Sequence, residues 1–319
     1  MPFWGLVPGL RAAMARSMNS ATPRSGGAIA AVATYTFWGV LPIYFKLLQA
    51  VPALELIGWR IIWSLPVCLV VVVVMRQGAE LRAVLASPAL LLRLALSALF
   101  VGGNWLIYVT AVNAGHVLAT SLGYYIIPLI NVLLGTVFLG EKLGRLQWSA
   151  VAVASLGIGL LAWEALDMLA VAVVLGISFA LYGYVRKVTP VGAVPGLTVE
   201  TALLLLPAIG VVAWFGHQPA GSSFTTGWST ALLIASTGLI TALPLLLFAY
   251  AAQRLDLSTL GFAQFITPSI GFLIGHFLFG EPLDTPRTVC FVLIWIALGL
   301  FSWDMLHKAR MNSATKSPA

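Results

Sequence analysis

Four ionisable side chains stand inside or at the edge of long apolar runs: Lys46, Glu55, Arg60 and Glu200. Glu55 and Arg60 fall within VPALELIGWRIIWS (residues 51–64), and Glu200 lies in GLTVETALLLLP (residues 196–207). A charge at mid-bilayer costs about 2.5–3.5 kcal/mol on insertion scales, so each one needs a partner, water or a ligand. At helical rise Arg60 lies about 7 Å deeper than Glu55. Lys46 ends the preceding apolar run on the same side, where it can pair with Glu55 or snorkel to the interface. Arg60 is deeper and is flanked by Trp59 and Trp63, which favours a functional or tightly paired role over a structural or snorkelling one. The chemistry on offer is binding and passage of a polar solute. No HExxH, Walker loop, GxSxG or paired catalytic carboxylates are present, so the expectation is no enzyme, no metal and no cofactor.

Weaker polar signals surround two prolines at mid-run. Pro128 has Tyr124, Tyr125 and Asn131 nearby, and Pro268 has Gln264 and Thr267. Proline removes a backbone donor and frees carbonyls that must be satisfied in protein or in a cavity. Both are expected to kink their helices, with a packing kink and a cavity border as the two readings. Asn104 and Tyr108 share a helix face at i, i+4 and are candidates for the same cavity. The expected pathway set is therefore Lys46, Glu55, Arg60, Trp63, Asn104, Tyr108, Tyr125, Asn131, Glu200 and Gln264. Trp38, Tyr44 and Tyr182 read equally as packing or ligand aromatics, and His116 and His276 as interfacial residues.

These residues need a membrane scaffold to hold them. The chain of 319 residues is 60% hydrophobic and 8% charged, with mean hydropathy +0.99. Soluble domains carry about 25% charged residues, so this composition describes a polytopic membrane protein. The net charge of +7 is assigned to membrane orientation and not to nucleic acid. Cys68 and Cys290 both lie in apolar runs and suggest neither a disulfide nor a metal site. Apolar stretches of membrane-crossing length fall near 26–46, 55–75, 89–111, 117–140, 146–163, 165–186, 197–215, 228–252, 256–280 and 286–306. The fifth and sixth abut at Trp163-Glu164, so a tight hairpin is required there. With the N-terminus in the cytosol, 14 of the 17 Lys and Arg residues fall on cytosolic connections, and both termini are cytosolic. Residues 1–25 read as a cytosolic arm without signal-peptide character, with Met14 or Met18 as alternative initiators.

GTVFLGEKL (135–143) returns as GHFLFGEPL (275–283), and the same offset of 140 pairs Pro128 with Pro268 and Ile130 with Ile270. Five spans per half is an odd number, so a duplicated unit enters the membrane upside down. The expected fold is all-α, ten transmembrane helices as two inverted five-helix repeats, covering residues 26–163 and 164–306, with a cytosolic tail at 307–319. The offset also aligns Glu200 with Arg60, placing one near each mouth of a path.

FWGVLPIYFKLL (37–48), VPALELIGWRIIWS, NWLIYVTAVNAGHVLATSLGYYIIPLINVLLG (104–135), LGEKLGRLQW (139–148) and TALPLLLFAYAAQRLDLSTLGFAQFITPSIGFLIGHFLFGEPL (241–283) resemble the EamA family of the drug/metabolite transporter superfamily. The resemblance covers roughly residues 27 to 306. It implies a bacterial inner-membrane protein that transports small molecules by alternating access, with export as the expected direction. Similar proteins carry a chloramphenicol-related label, so the implied substrate is a chloramphenicol-like drug or a metabolite. The expected partners are that solute and the bilayer, with a homodimer as an option. Members of the family often have a histidine before the arginine matching Arg60. Trp59 stands there in this chain, which weakens proton coupling through that position. A membrane-embedded enzyme and a non-transporting receptor or scaffold are the competing classes. The first lacks a clustered acid–histidine set, and the second has no need of an inverted duplication.

Overall fold

The computed structural model describes residues 24–163, 166–280 and 284–314. Among them ten helices are long and apolar enough to cross a bilayer: Ser25–Lys46, Ala53–Val74, Pro88–Asn113, Ala119–Phe138, Arg145–Trp163, Leu166–Val188, Ala193–Gly216, Trp228–Ala252, Leu257–Phe277 and Thr285–His307. They are called spans one to ten in that order. Their 19 to 26 residues match a hydrocarbon core of about 30 Å at helical rise. A helix pairs most of its backbone polar groups internally, as lipid demands, and its ends and prolines need partners elsewhere. Span two shows why such a sequence needs lipid: Ile61, Cys68 and Val72 are buried, while Val73 and Val74 each remain 74% exposed. A water-facing surface does not carry such a stripe on every helix.

The expected hairpin between spans five and six is present as a helix end at Trp163 and a 3-10 turn at Leu166–Met168, with residues 164–165 outside the described set. The tenth helix continues to Ala314, beyond its expected end near 306, because MLHKARMNSA consists largely of good helix formers. The expected N-terminal arm lies outside the described residues apart from the start of span one.

The helices around the two prolines differ. Span nine is two helices, Leu257–Gln264 and Ile266–Phe277, interrupted at Phe265, three residues before Pro268. Span four runs through Pro128 as one helix, Val117–Phe138. Proline alone does not decide the outcome, since Pro42, Pro66, Pro207 and Pro244 also lie within continuous helices.

Lateral packing follows a pattern. Span one packs on eight and nine, two on seven and eight, three on six and seven, four on six and nine, and five on ten. Replacing each span by the one five places along the chain reproduces the same set of pairs. Offset partners also meet equivalent spans: Ile270 of span nine abuts Gly39 of span one, and Ile130 of span four abuts Gly176 of span six. The two repeated phrases also end alike, with Gly140 at φ +68° and Gly280 at φ +70°. That left-handed turn is open to glycine at little cost and terminates the helix before the acidic residue.

Candidate functional site: a seam with a charge site at each end

Spans two, three, seven and eight meet along a seam. It holds a narrow cavity of about 10 Å³, room for roughly one water, lined by Ser64, Trp105, Glu200, Thr201 and Thr241 among others. Glu200 belongs to the charge site at the end where span six finishes, called here the Arg186 side. Thr241 belongs to the charge site at the end where span one finishes, called the Lys46 side.

On the Arg186 side, Arg186 Nη1 lies 3.4 Å from Glu200 Oε1, and the two side chains are 0% and 1% exposed. Arg186 Nη2 donates to the carbonyls of Gly192 (3.3 Å) and Ala193 (3.5 Å). Gly196 leaves the room that the guanidinium occupies, since any side chain there would collide with it. The pair is incompletely satisfied: Arg186 Nε and both Glu200 oxygens are buried without a hydrogen bond. Two elements fix the geometry. Arg186 ends span six before the turn at Pro190, and Glu200 sits two turns into span seven.

Sequence reasoning missed Arg186, which reads as one more basic residue at a span end. The offset that aligns Glu200 with Arg60 also aligns Arg186 with Lys46, and that register was the available signal.

On the Lys46 side, Arg60 Nε donates to Thr241 Oγ1 of span eight at 2.9 Å. Its guanidinium carbon lies 5.3 Å from the Phe45 ring centre and 5.1 Å from that of Trp105, cation–π distances. Tyr44, Tyr108 and Tyr124 are within its electrostatic reach, and the last two rings lie 5.9 Å apart. Among the described residues no carboxylate pairs with Arg60. The expected pairing of Lys46 with Glu55 is not found. Lys46 Nζ lies 4.1 Å above the Phe279 ring. The Glu55 carboxylate is fully buried and accepts from Ser222 Oγ (2.6 Å), Ser223 N (2.9 Å), Ser223 Oγ (2.7 Å) and Trp59 Nε1 (3.2 Å). Four donors satisfy a carboxylate without a cation. Glu55 thus ties the start of span two to the 3-10 turn Ser223–Thr225 ahead of span eight.

Several other expected pathway residues make packing contacts in this structure. Trp63 stacks on Phe224 (6.1 Å), as Trp59 does at 4.4 Å, and so serves that turn. Tyr125 meets Phe291 of span ten edge-on at 5.5 Å. Asn104 clamps span three to span six, its Nδ2 donating to Leu175 O (2.9 Å) and Ser178 Oγ (3.0 Å). Tyr108, one turn on, does face the Arg60 site. Asn131 and Gln264 are buried and do not line the seam cavity, and each has an unpartnered side-chain oxygen. Beside the two prolines, Gly261 lets spans four and nine approach closely. A Cβ there would lie 2.8 Å from Asn131 Cβ and 3.0 Å from Pro128 O.

Glu141, the acid of the first repeated phrase, has a defined role. It accepts from Leu257 N (2.5 Å), Ser258 N (2.9 Å) and Ser258 Oγ (2.6 Å), capping the first turn of span nine from a different element. Gly135 leaves space for that carboxylate. Nearby Lys187 donates to the carbonyls of Leu255 and Ala252 at the end of span eight. Glu281, its counterpart in the repeat, lies outside the described residues.

Comparison with known proteins gives this architecture its place. Residues 25–163 match the EamA-like transporter family. An uncharacterized transporter of Vibrio cholerae is 44% identical over 288 residues, covering 89% of this chain and 95% of that one. The protein RarD of Salmonella typhimurium is 42% identical over 284 residues, covering 89% and 97%. The chloramphenicol-sensitive protein RarD of Pseudomonas aeruginosa is 31% identical over 291 residues, covering 90% and 97%. A multi-pass bundle with a charge-bounded seam, sharing this much sequence with named transporters over nearly its whole length, belongs to the EamA-like transporter family.

Proposed function

We propose that the chain exports a small metabolite or an amphenicol-type drug across a bacterial inner membrane by alternating access between two inverted five-helix repeats. The observation carrying this reading is the packing scheme that returns to itself on a shift of five spans, with the seam of spans two, three, seven and eight at its centre. Rocking one repeat on the other opens such a seam at one end while closing it at the other. Arg186 and Glu200 form the cytosolic closure, and Arg60 with Thr241 forms the outer binding end. The orientation rests on the basic residues of the connections. The name of the Pseudomonas relative supports amphenicols as one solute to try.

The test is flux in liposomes reconstituted with the full chain. Labelled chloramphenicol and a panel of metabolites are followed in both directions, with and without a pH gradient. Saturable, counterflow-competent transport is expected for at least one solute. Passive leak alone, at the rate of empty liposomes, for every solute would overturn the reading. Reporter fusions should place both termini in the cytosol; a C-terminal fusion active only in the periplasm would remove the inversion.

A further inference from the structure

The two ends of the seam differ in one respect that the transport reading leaves unused. Arg186 faces a carboxylate of its own chain, and Arg60 faces none among the described residues. The Arg60 guanidinium commits only Nε, to Thr241 Oγ1. No protein acceptor for its two terminal nitrogens is found among the described residues. A guanidinium stays charged at any physiological pH, and its terminal N–H fork matches a carboxylate bidentately. The chain's own acids nearest in role are already occupied. Glu55 would have to break four hydrogen bonds to leave Ser222, Ser223 and Trp59, and Glu200 is buried against Arg186. A ligand can then supply the counter-charge that the described residues do not bring to Arg60. Phe45 and Trp105 beside the guanidinium offer an apolar, stacking surface to that ligand's body, and the Tyr108–Tyr124 pair adds neutral hydroxyls near the charge.

We propose that Arg60 receives the carboxylate of a small organic anion with a flat or apolar body, and that such monocarboxylates are the substrate class of the seam. The assignment rests on the reading of the seam as the transport path. It also explains the unequal ends: the ligand supplies on the Lys46 side what Glu200 supplies on the Arg186 side.

The experiment uses the full chain in nanodiscs of zwitterionic lipid and radiolabelled benzoate as the probe, displaced by unlabelled benzoate, benzamide or phenyl phosphate. Benzoate should bind saturably, and the neutral amide and the phosphate ester should compete at least about tenfold more weakly. Tenfold corresponds to about 1.4 kcal/mol, within reach of a single hydrogen bond to a charged group. Arg60→Gln should weaken benzoate by at least about tenfold, and Arg60→Lys should keep part of the affinity while losing the fork. Monodispersity and thermal midpoint of each variant establish that it is folded, and the lysine variant carries the comparison if the glutamine variant is not. Equal competition by benzamide, equal competition by phenyl phosphate, or unchanged benzoate binding in Arg60→Gln would each overturn the carboxylate assignment. Counterflow of benzoate and of chloramphenicol, in sealed liposomes reconstituted from the same purified protein, separates the two levels. Chloramphenicol counterflow without benzoate selectivity removes the carboxylate class alone, and selective benzoate binding with counterflow of neither solute removes the transport reading.

Discussion

At matched positions in the two halves, Lys46 and Arg60 correspond to Arg186 and Glu200, yet the two ends of the seam solve opposite problems. The second half places a cation against an anion in full burial, at 3.4 Å, and leaves several of their polar atoms unbonded. The first half places two cations, holds them with aromatic rings and one threonine hydroxyl, and brings no acid to either among the described residues. On the reading proposed above, two halves can keep the same packing scheme while one change of sign separates a closure from a binding end. The lesson concerns net worth as well as charge. A buried pair is weakly stabilising overall, but removing one partner strands a buried charge.

The largest effect expected is on flux. Arg60→Leu should abolish transport with membrane insertion at least as good as in the parent, because it removes a charge from the apolar run. Arg60→Lys should impair transport with insertion nearly normal, since it keeps the charge and loses the planar fork. Protein level against flux for each variant decides the matter, and full flux in Arg60→Leu would make that end structural and dissolve the contrast between the two ends.

Next comes the closure. Glu200→Ala should destabilise the fold by about 3–5 kcal/mol, read as a lowered thermal midpoint in detergent, because Arg186 is left buried and unpaired. The double variant Glu200→Met with Arg186→Met should recover most of that loss. If the single variant is as stable as the parent, the pair is hydrated and is no seal.

A smaller loss is expected at the span-four latch. Glu141→Ala removes the carboxylate that caps span nine, and a loss of about 1–3 kcal/mol should appear in the thermal midpoint. The smallest change belongs to Lys46→Met, where an exposed cation–π contact with Phe279 contributes about 0.5–1 kcal/mol and flux should stay near the parent value. A loss of flux there comparable to that of Arg60→Leu would mean that both cations bind the solute.

The spans were legible in the sequence because their signal is local. Twenty apolar residues and a charged or turn-rich break carry the same meaning wherever they occur. Arg60 and Glu200 were legible for the same reason, as charges deep in apolar runs. Arg186 was hidden because a basic residue at a span end has an ordinary explanation in membrane orientation. The partners of Glu55 were hidden more thoroughly. Ser222 and Ser223 sit in an unremarkable loop segment, GSSFTTG, far along the chain, and nothing local marks them as carboxylate donors. Asn131 and Gln264 pose the converse problem. Their polarity allowed a cavity or a packed interface, and whether a polar helix face meets solvent or another helix depends on how closely the backbones approach. Gly261 of span nine brings that span close to Asn131 of span four, and nothing local in the sequence around Asn131 marks it.

The interruption at Phe265 bears on how force travels through the bundle. Span nine straddles spans four and one: its Leu257–Gln264 piece is riveted to span four by Glu141, and its Ile266–Phe277 piece lies along span one. Span four straddles spans six and nine in the equivalent way but is an unbroken rod through Pro128. On the rocking reading, the interruption at Phe265 gives span nine a bending point between its two partners, whereas the helix of span four is continuous. Tilting the assembly toward one face and toward the other would then meet different compliance, so the two strokes of the proposed cycle need not run at the same rate.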